Sequence, residues 1–158
     1  MELVFRLARA ADIVFLIAAE RAPENRDFIA QWSHEQHAIA LADPDYRYVI
    51  VVEDSAPIGF MIFQELSGPH ASVNLRRLVV MSKGRGIGRA AVREAKRLVF
   101  EEWDAHRFWL DVKAHNLRAR YLYESEGFVV EGTLRECLRT DSGYDSLVVL
   151  SILRQEYA

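Results

Sequence analysis

The sequence predicts one α/β (α+β) domain over residues 1–158, built on a mixed, mostly antiparallel sheet of six or seven strands with helices on both faces. Three observations lead there. The length of 158 residues is that of one ordinary domain, and no repeat, low-complexity tract or linker divides it. Alternating and helical stretches follow one another in the order β-α-α-β-β-β-α-β-α-β-β. Most strands are joined by hairpin-length connections, whereas one central strand–helix–strand unit calls for a right-handed crossover between parallel strands.

The first strand is Leu3–Ala8, which alternates. Ala10–Glu20 has helical spacing, with Ile13, Leu16 and Ile17 on one face. A second helix is expected over Asn25–Leu41, stopped by the Asp43–Asp45 segment. Residues 46–53 and 57–66 read as two strands of a hairpin around the turn Asp54–Pro57. Ala71–Val80 is a further strand. A glycine-rich loop and a helix from about Gly86 to Trp103 follow. Ile87, Ala91, Ala95 and Leu98 form that helix's core stripe, and Arg89, Arg93, Lys96 and Arg97 a basic face read as solvated. Arg107–Val112 is a strand. Asn116–Gly127 is a short helix with a polar cap at one end and a glycine stop at the other. Residues 128–140 and 144–153 complete the sheet as a pair.

Composition bounds the function. With 51% hydrophobic and 27% charged residues the chain reads as a globular protein with a real core. A net charge of −3 gives no general electrostatic case for nucleic acid or an anionic membrane. The single cysteine, Cys137, excludes an internal disulfide and a cysteine-rich zinc site, and fits a reducing cytoplasm. Charges at Glu2, Arg6, Arg9 and Asp12 do not suit a signal peptide, and no apolar run reaches the roughly 20 residues of a membrane span.

The stretch Ser82–Ala90, SKGRGIGRA, points to a phosphate. A helix starting at Gly86 leaves unpaired N–H groups and a partial positive charge at its N-terminus. Glycines without Cβ atoms let phosphates approach the amides, and Arg85 and Arg89 add charge at the rim. A P-loop needs Lys and then Ser or Thr after its last glycine, but Gly88 is followed by Arg89 and Ala90. A dinucleotide-binding turn needs G-x-G-x-x-G at the first strand–helix junction, and neither spacing nor position fits.

About thirty residues on, Asn116–Phe128 reads NLRARYLYESEGF. Asn116, Ala119 and Tyr123 share one helix face, with Asn116 and Tyr123 about 10 Å apart along the axis. Tyr121, two positions from Tyr123, reads as a packing residue on the other side. The chain here resembles the GCN5-related N-acetyltransferases. Lys83, Gly86 and Gly88 occupy the marked positions of that family's acyl-CoA loop, [Q/R]-x-x-G-x-[G/A], with lysine in place of glutamine or arginine. Asn116, Ala119, Leu122, Tyr123, Glu124, Gly127 and Phe128 match its second motif, N-x-x-A-x-x-L-Y-E-x-x-G-F. The close resemblance covers roughly Val73–Gly132, and element order alone carries it over the rest.

The resemblance implies acetyl-CoA as cosubstrate and no metal. It places the pyrophosphate on Lys83, Gly84, Arg85, Gly86, Ile87, Gly88 and Arg89. The pantetheine amides pair with the backbone of Leu78, Val79 and Val80, in the manner of an added strand. Asn116 and Ala119 line the arm, and Tyr123 meets the thioester sulfur as the catalytic residue, protonating or only hydrogen-bonding the leaving thiolate. The acceptor is expected to be a primary amine of a small molecule (polyamine, amino acid or similar). A protein N-terminus or lysine, and a non-catalytic acyl-CoA-binding module, stand as alternatives. No nucleic acid or membrane partner is expected, and a homodimer stays open.

The base that frees the amine is not visible. Glu24, His34, Glu35 and His37 in the expected second helix are candidates, against a reading of them as a solvated polar face. Asp111 lies in the right strand. Trp32 reads either as lining the acceptor side or as core, Cys137 as a buried or idle thiol, and Arg76 and Arg139 as partners for an acidic acceptor.

Overall fold

Alternation along two strands sets the layers. In β2 (Arg47–Glu53), Tyr48 and Ile50 turn to one face of the sheet, Val49 and Val51 to the other. In β3 (Ala56–Gln64), Phe60 and Ile62 join the first pair, Met61 and Phe63 the second. These residues are at most 3% exposed, so both faces of the central sheet need cover. Each such side chain stabilises by about 1.5–3 kcal/mol when removed from water.

The computed structural model describes residues 2–157. Seven strands form one sheet in the order β1-β2-β3-β4-β5-β7-β6, where β1 is Leu3–Leu7, β4 Ser72–Val80, β5 Arg107–Lys113, β6 Val129–Thr140 and β7 Gly143–Leu153. Only β4 and β5 run parallel; every other pairing is antiparallel. Helices α1 (Ile13–Arg21) and α2 (His34–Ala42) cover one face through Ile13, Leu16, Ala19 and Ala40. The other face carries α3 (Ile87–Arg97), continued by a π-helical turn over Leu98–Glu102, and α4 (Leu117–Ser125). Ile87, Ala91, Ala95 and Leu98 are buried, as their spacing predicts. Among the described residues no helix is long and apolar enough to cross a membrane.

Three expectations are corrected. The helix expected over Asn25–Leu41 forms only in its second half. Asn25 is buried and its side-chain amide donates to the Ala19 carbonyl at 2.9 Å, which pins a run of turns instead. Helix α2 starts where Ser33 accepts the Gln36 N–H at 3.1 Å and Gln36 accepts the Ser33 N–H at 2.8 Å. That reciprocal cap is written in the sequence as Ser-x-x-Gln. Second, the basic face of α3 is not simply solvated: Arg89, Arg93 and Lys96 converge on Glu126, which is 8% exposed, at 2.6, 3.1 and 3.3 Å. Burial raises the Glu126 carboxyl, but hydrogen bonds from those three residues outweigh it and hold the group below its ordinary range. Third, Cys137 is exposed on β6, which removes the buried alternative and leaves the idle one.

Candidate active site

The parallel ladder between β4 and β5 is short. It pairs Ser72 with Arg107, Val73 with Phe108 and Asn74 with Trp109, and stops there. The Asn74 side chain donates to the Trp109 carbonyl at 3.2 Å, at the point where the strands part. Beyond it β4 keeps β3 and β5 keeps β7, so the β5-facing backbone of residues 75–80 has no strand beside it. A cleft of about 1160 Å³ opens at this parting.

The glycine loop and α4 meet in that cleft. Gly84 and Gly86 take φ of +83° and +78°, left-handed values that suit glycine and bend the chain into α3. Gly86 is the N-cap of α3, and no atom lies within 4 Å of where its Cβ would stand. The first-turn N–H groups of the helix therefore follow an open backbone. Leu78, Val80, Lys83, Gly84, Gly86, Gly88 and Arg89 all line the cleft.

On the far side, Asn116 caps α4 by accepting the Ala119 N–H at 3.2 Å. Asn116, Ala119 and Tyr123 present one face to the cleft, as their spacing predicts. Tyr123 is 6% exposed and packs edge-on against Phe128, ring centroids 5.5 Å apart. Its hydroxyl has no hydrogen-bond partner among the described residues. Burial pushes the phenol above its ordinary value.

Other expected residues fall elsewhere. Val79 and Ile87 are 1% exposed and turn their side chains into the two cores, leaving only backbone for a ligand. Arg85 is drawn to Glu53 at 2.6 Å, and Arg89 to Glu126, so much of the rim charge is already paired. Arg118, which the sequence reading missed, lines the cleft with its Nη2 3.6 Å from the Cβ position of Gly84. It occupies a variable position of the second motif, so the motif gave no sign of it. Lys83 is held below its ordinary value by burial and by Arg118, with Glu24 opposing. Tyr121 is exposed on the cleft and is not a packing residue.

Of the base candidates, Glu24 and Asp111 line the cleft, whereas His34 and Glu35 are exposed away from it. Glu24 lies toward Lys83 at the loop. Asp111 lies on β5 beyond the parting, exposed on the cleft wall, where partial desolvation by the surrounding walls raises its carboxyl and Arg76 pulls it back. His37 does not belong to a solvated face: it is fully buried, 2.9 Å from Glu20 and 2.9 Å from the Tyr48 hydroxyl. Glu20, also fully buried, accepts from Arg77 at 2.6 Å. Glu20 follows Ile13 and Leu16 at steps of three and four, so its place on a buried stripe was legible, and a buried carboxylate needs partners. Of the two readings left open for Trp32, the structure supports the core one, and the ring reaches the cleft only through two arginines of its wall. It packs against the α1–α2 core, and its ring carries the guanidinium carbons of Arg76 and Arg77 at 5.0 and 4.4 Å.

Residues 13–128 match the model described as the acetyltransferase (GNAT) family. The chain is 31% identical to an uncharacterized N-acetyltransferase of Mycobacterium tuberculosis over 115 residues, 71% of this chain and 72% of that protein. It is 25% identical to a spermidine N(1)-acetyltransferase of Vibrio cholerae, over 99% of this chain and 95% of that one. The structure of the spermidine N-acetyltransferase from Vibrio cholerae in complex with CoA and spermine superimposes with a TM-score of 0.88. It covers 98% of this chain and 97% of that one at 22% identity, a likeness of fold.

Proposed function

Since the chain belongs to the acetyltransferase (GNAT) family, we propose that it transfers acetyl directly from acetyl-CoA to the primary amine of a small molecule, a polyamine, amino acid or similar. The observation that carries this is the parting of β4 and β5, which brings the glycine loop and the Asn116–Ala119–Tyr123 face to one cleft. Acetyl-CoA supplies the activated acyl group as a thioester. The N-terminus of α3 and the loop amides take its pyrophosphate, with Lys83 and Arg118 as the nearby cations. The pantetheine amides pair with the free edge of Leu78–Val80. The acceptor class has support from the spermidine-acetylating relative, which matches along nearly its whole length.

An alkyl ammonium has a pKa near 10 and must lose its proton before attack. Asp111 is the base in this reading. It sits across the gap from β4, and a carboxylate that holds its proton more tightly is a better acceptor at neutral pH. The neutral amine attacks the thioester carbonyl, and a backbone N–H near Val80 steadies the oxyanion. The carbon–sulfur bond breaks, the nitrogen gives up its second proton to solvent as the amide forms, and the thiolate leaves toward Tyr123. A free thiol is near 8.5 and the buried phenol lies above its ordinary value, so complete proton transfer runs uphill. Tyr123 serves by donating a hydrogen bond to the departing sulfur. The experiment is acetyl-CoA turnover over a panel of amines and peptides, read as CoA release with mass detection of the N-acetyl product. CoA release on small amines supports the reading; binding without release on every acceptor contradicts it.

A further inference from the structure

The end of the cleft away from the glycine loop carries two consecutive arginines on one side of a strand. Adjacent strand residues normally point to opposite faces. Here Ile62 pairs with Arg77 and Phe63 with Leu75, so Arg76 is an extra, bulged residue. The bulge turns Arg76 and Arg77 to the same face, where both meet Trp32. Val80 is four residues on, about 13 Å along the strand, so this pair lies well away from the pyrophosphate cradle.

Arg77 is built in, at 7% exposure. Glu20 holds its Nη1 at 2.6 Å, and His37, itself held by the Tyr48 hydroxyl, holds Glu20 in place from behind. That chain of contacts uses one nitrogen of the guanidinium. Its Nε and Nη2 have no partner among the described residues, and no sealed side-chain nitrogen or oxygen there is orphaned. Those donors therefore open onto the cleft that Arg77 lines. Arg76 spends Nη1 on Gln64 at 3.0 Å and is otherwise exposed to the same space. Glu20 neutralises one of the two guanidiniums and leaves the pair net positive. Arg139 adds a further positive charge on the cleft wall, and Asp111 and Glu65 supply negative charge on it. The wall is thus bipolar. A polycation would bring its second ammonium to guanidiniums, whereas a zwitterion matches both poles.

Resting on the small-amine reading above, we propose that Arg76 and Arg77, stacked on Trp32, bind a carboxylate of the acceptor, and that the acceptor is a small amine of the amino-acid class. A planar guanidinium with two free donors matches a planar carboxylate in both geometry and charge. The buried Glu20–His37–Tyr48 backing keeps the fork aimed, and Trp32 fixes the plane of both arginines.

The test compares kcat/KM for L-amino acids with their amides, with 1,5-diaminopentane and with spermidine, in the wild type and in Arg76→Gln. Arg76 is exposed, so its substitution leaves the fold intact, whereas Arg77 variants would strand Glu20. The expected result is an acid as the best acceptor, favoured about tenfold or more over its amide. Amino-acid amides have the less basic amine, which biases the comparison against that result. In Arg76→Gln the preference shrinks through a higher KM for the acid at nearly constant kcat. Equal or better turnover of the amides, the diamine or spermidine overturns the carboxylate site while leaving the N-acetyltransferase reading standing. So does an acid preference that survives Arg76→Gln. No CoA release on any amine overturns the small-amine reading, and this inference with it.

Discussion

In the proposed mechanism the chemistry turns on Tyr123. It is the one phenol buried on the α4 face of the cleft, and its hydroxyl has no partner within the described chain. Tyr123→Phe keeps the ring against Phe128 and removes only the oxygen. It should lower kcat roughly tenfold or more with little change in acetyl-CoA affinity. Unchanged turnover would remove Tyr123 from the mechanism. Because burial raises the phenol above its ordinary value near 10, Tyr123 should impose no alkaline fall in kcat below about pH 10. Asp111 makes the complementary prediction. Its carboxyl is raised, so it works as a base only once pH exceeds that raised value. The wild-type kcat/KM profile should therefore show an acid limb above the ordinary carboxylate value of about 4. Asp111→Asn should abolish that limb and lower kcat/KM by about a hundredfold. An unaltered profile would assign the proton to another acceptor. Gly86 tests the cradle. With open space around its Cβ position, Gly86→Ala meets only the cost of φ +78°, about 1–2 kcal/mol. Weaker acetyl-CoA binding in that variant, by isothermal titration, would place the loop in donor recognition.

At the scale of elements, the joint between α3 and α4 rests on Glu126. Three cations from one helix converge on a nearly buried carboxylate just past the end of the other. Arg93, Arg89 and Lys96 all hydrogen-bond the carboxylate, and solvent screens the largely exposed Arg93 most strongly. The Glu126 pKa is lowered on folding. Its stabilisation is therefore full above the unfolded-state value and is lost as pH falls through the lower folded-state value. Glu126→Gln should cost about 2 kcal/mol at neutral pH, measured by urea unfolding, and should flatten the acid side of the stability profile. A profile identical to the wild type would show that these contacts are no more than surface pairs. The same joint engages Nη1 of Arg89, the residue expected at the helix start as a phosphate ligand, with Ser125 and Glu126.

For the whole molecule, most of the architecture was legible because alternation and helical spacing are local signals. The element order, the hairpin turn at Asp54 and Ser55 and the α3 core stripe all follow from them. That the glycine loop and the Asn116–Tyr123 face line one cleft was legible too, since both are short, contiguous motifs. What escaped was long-range. Arg77 meets Glu20 from 57 residues away, and Glu20 meets His37 from 17, so no local pattern joins them. The bulge at Arg76 exists only in the pairing of β3 with β4. The proposed acceptor side is assembled from such contacts, which is why the sequence points to a donor more readily than to an acceptor. The central claim is that one cleft holds both donor and amine for direct transfer. It is tested most directly by incubating the protein with acetyl-CoA and a panel of small primary amines while following CoA and N-acetyl product by mass. Mass detection also avoids interference from the exposed Cys137 thiol. Direct transfer gives CoA and N-acetyl amine in equal amounts for at least one small amine, with both formed about a hundredfold more slowly in Asp111→Asn. Acetyl-CoA that binds but stays intact with every amine would contradict it.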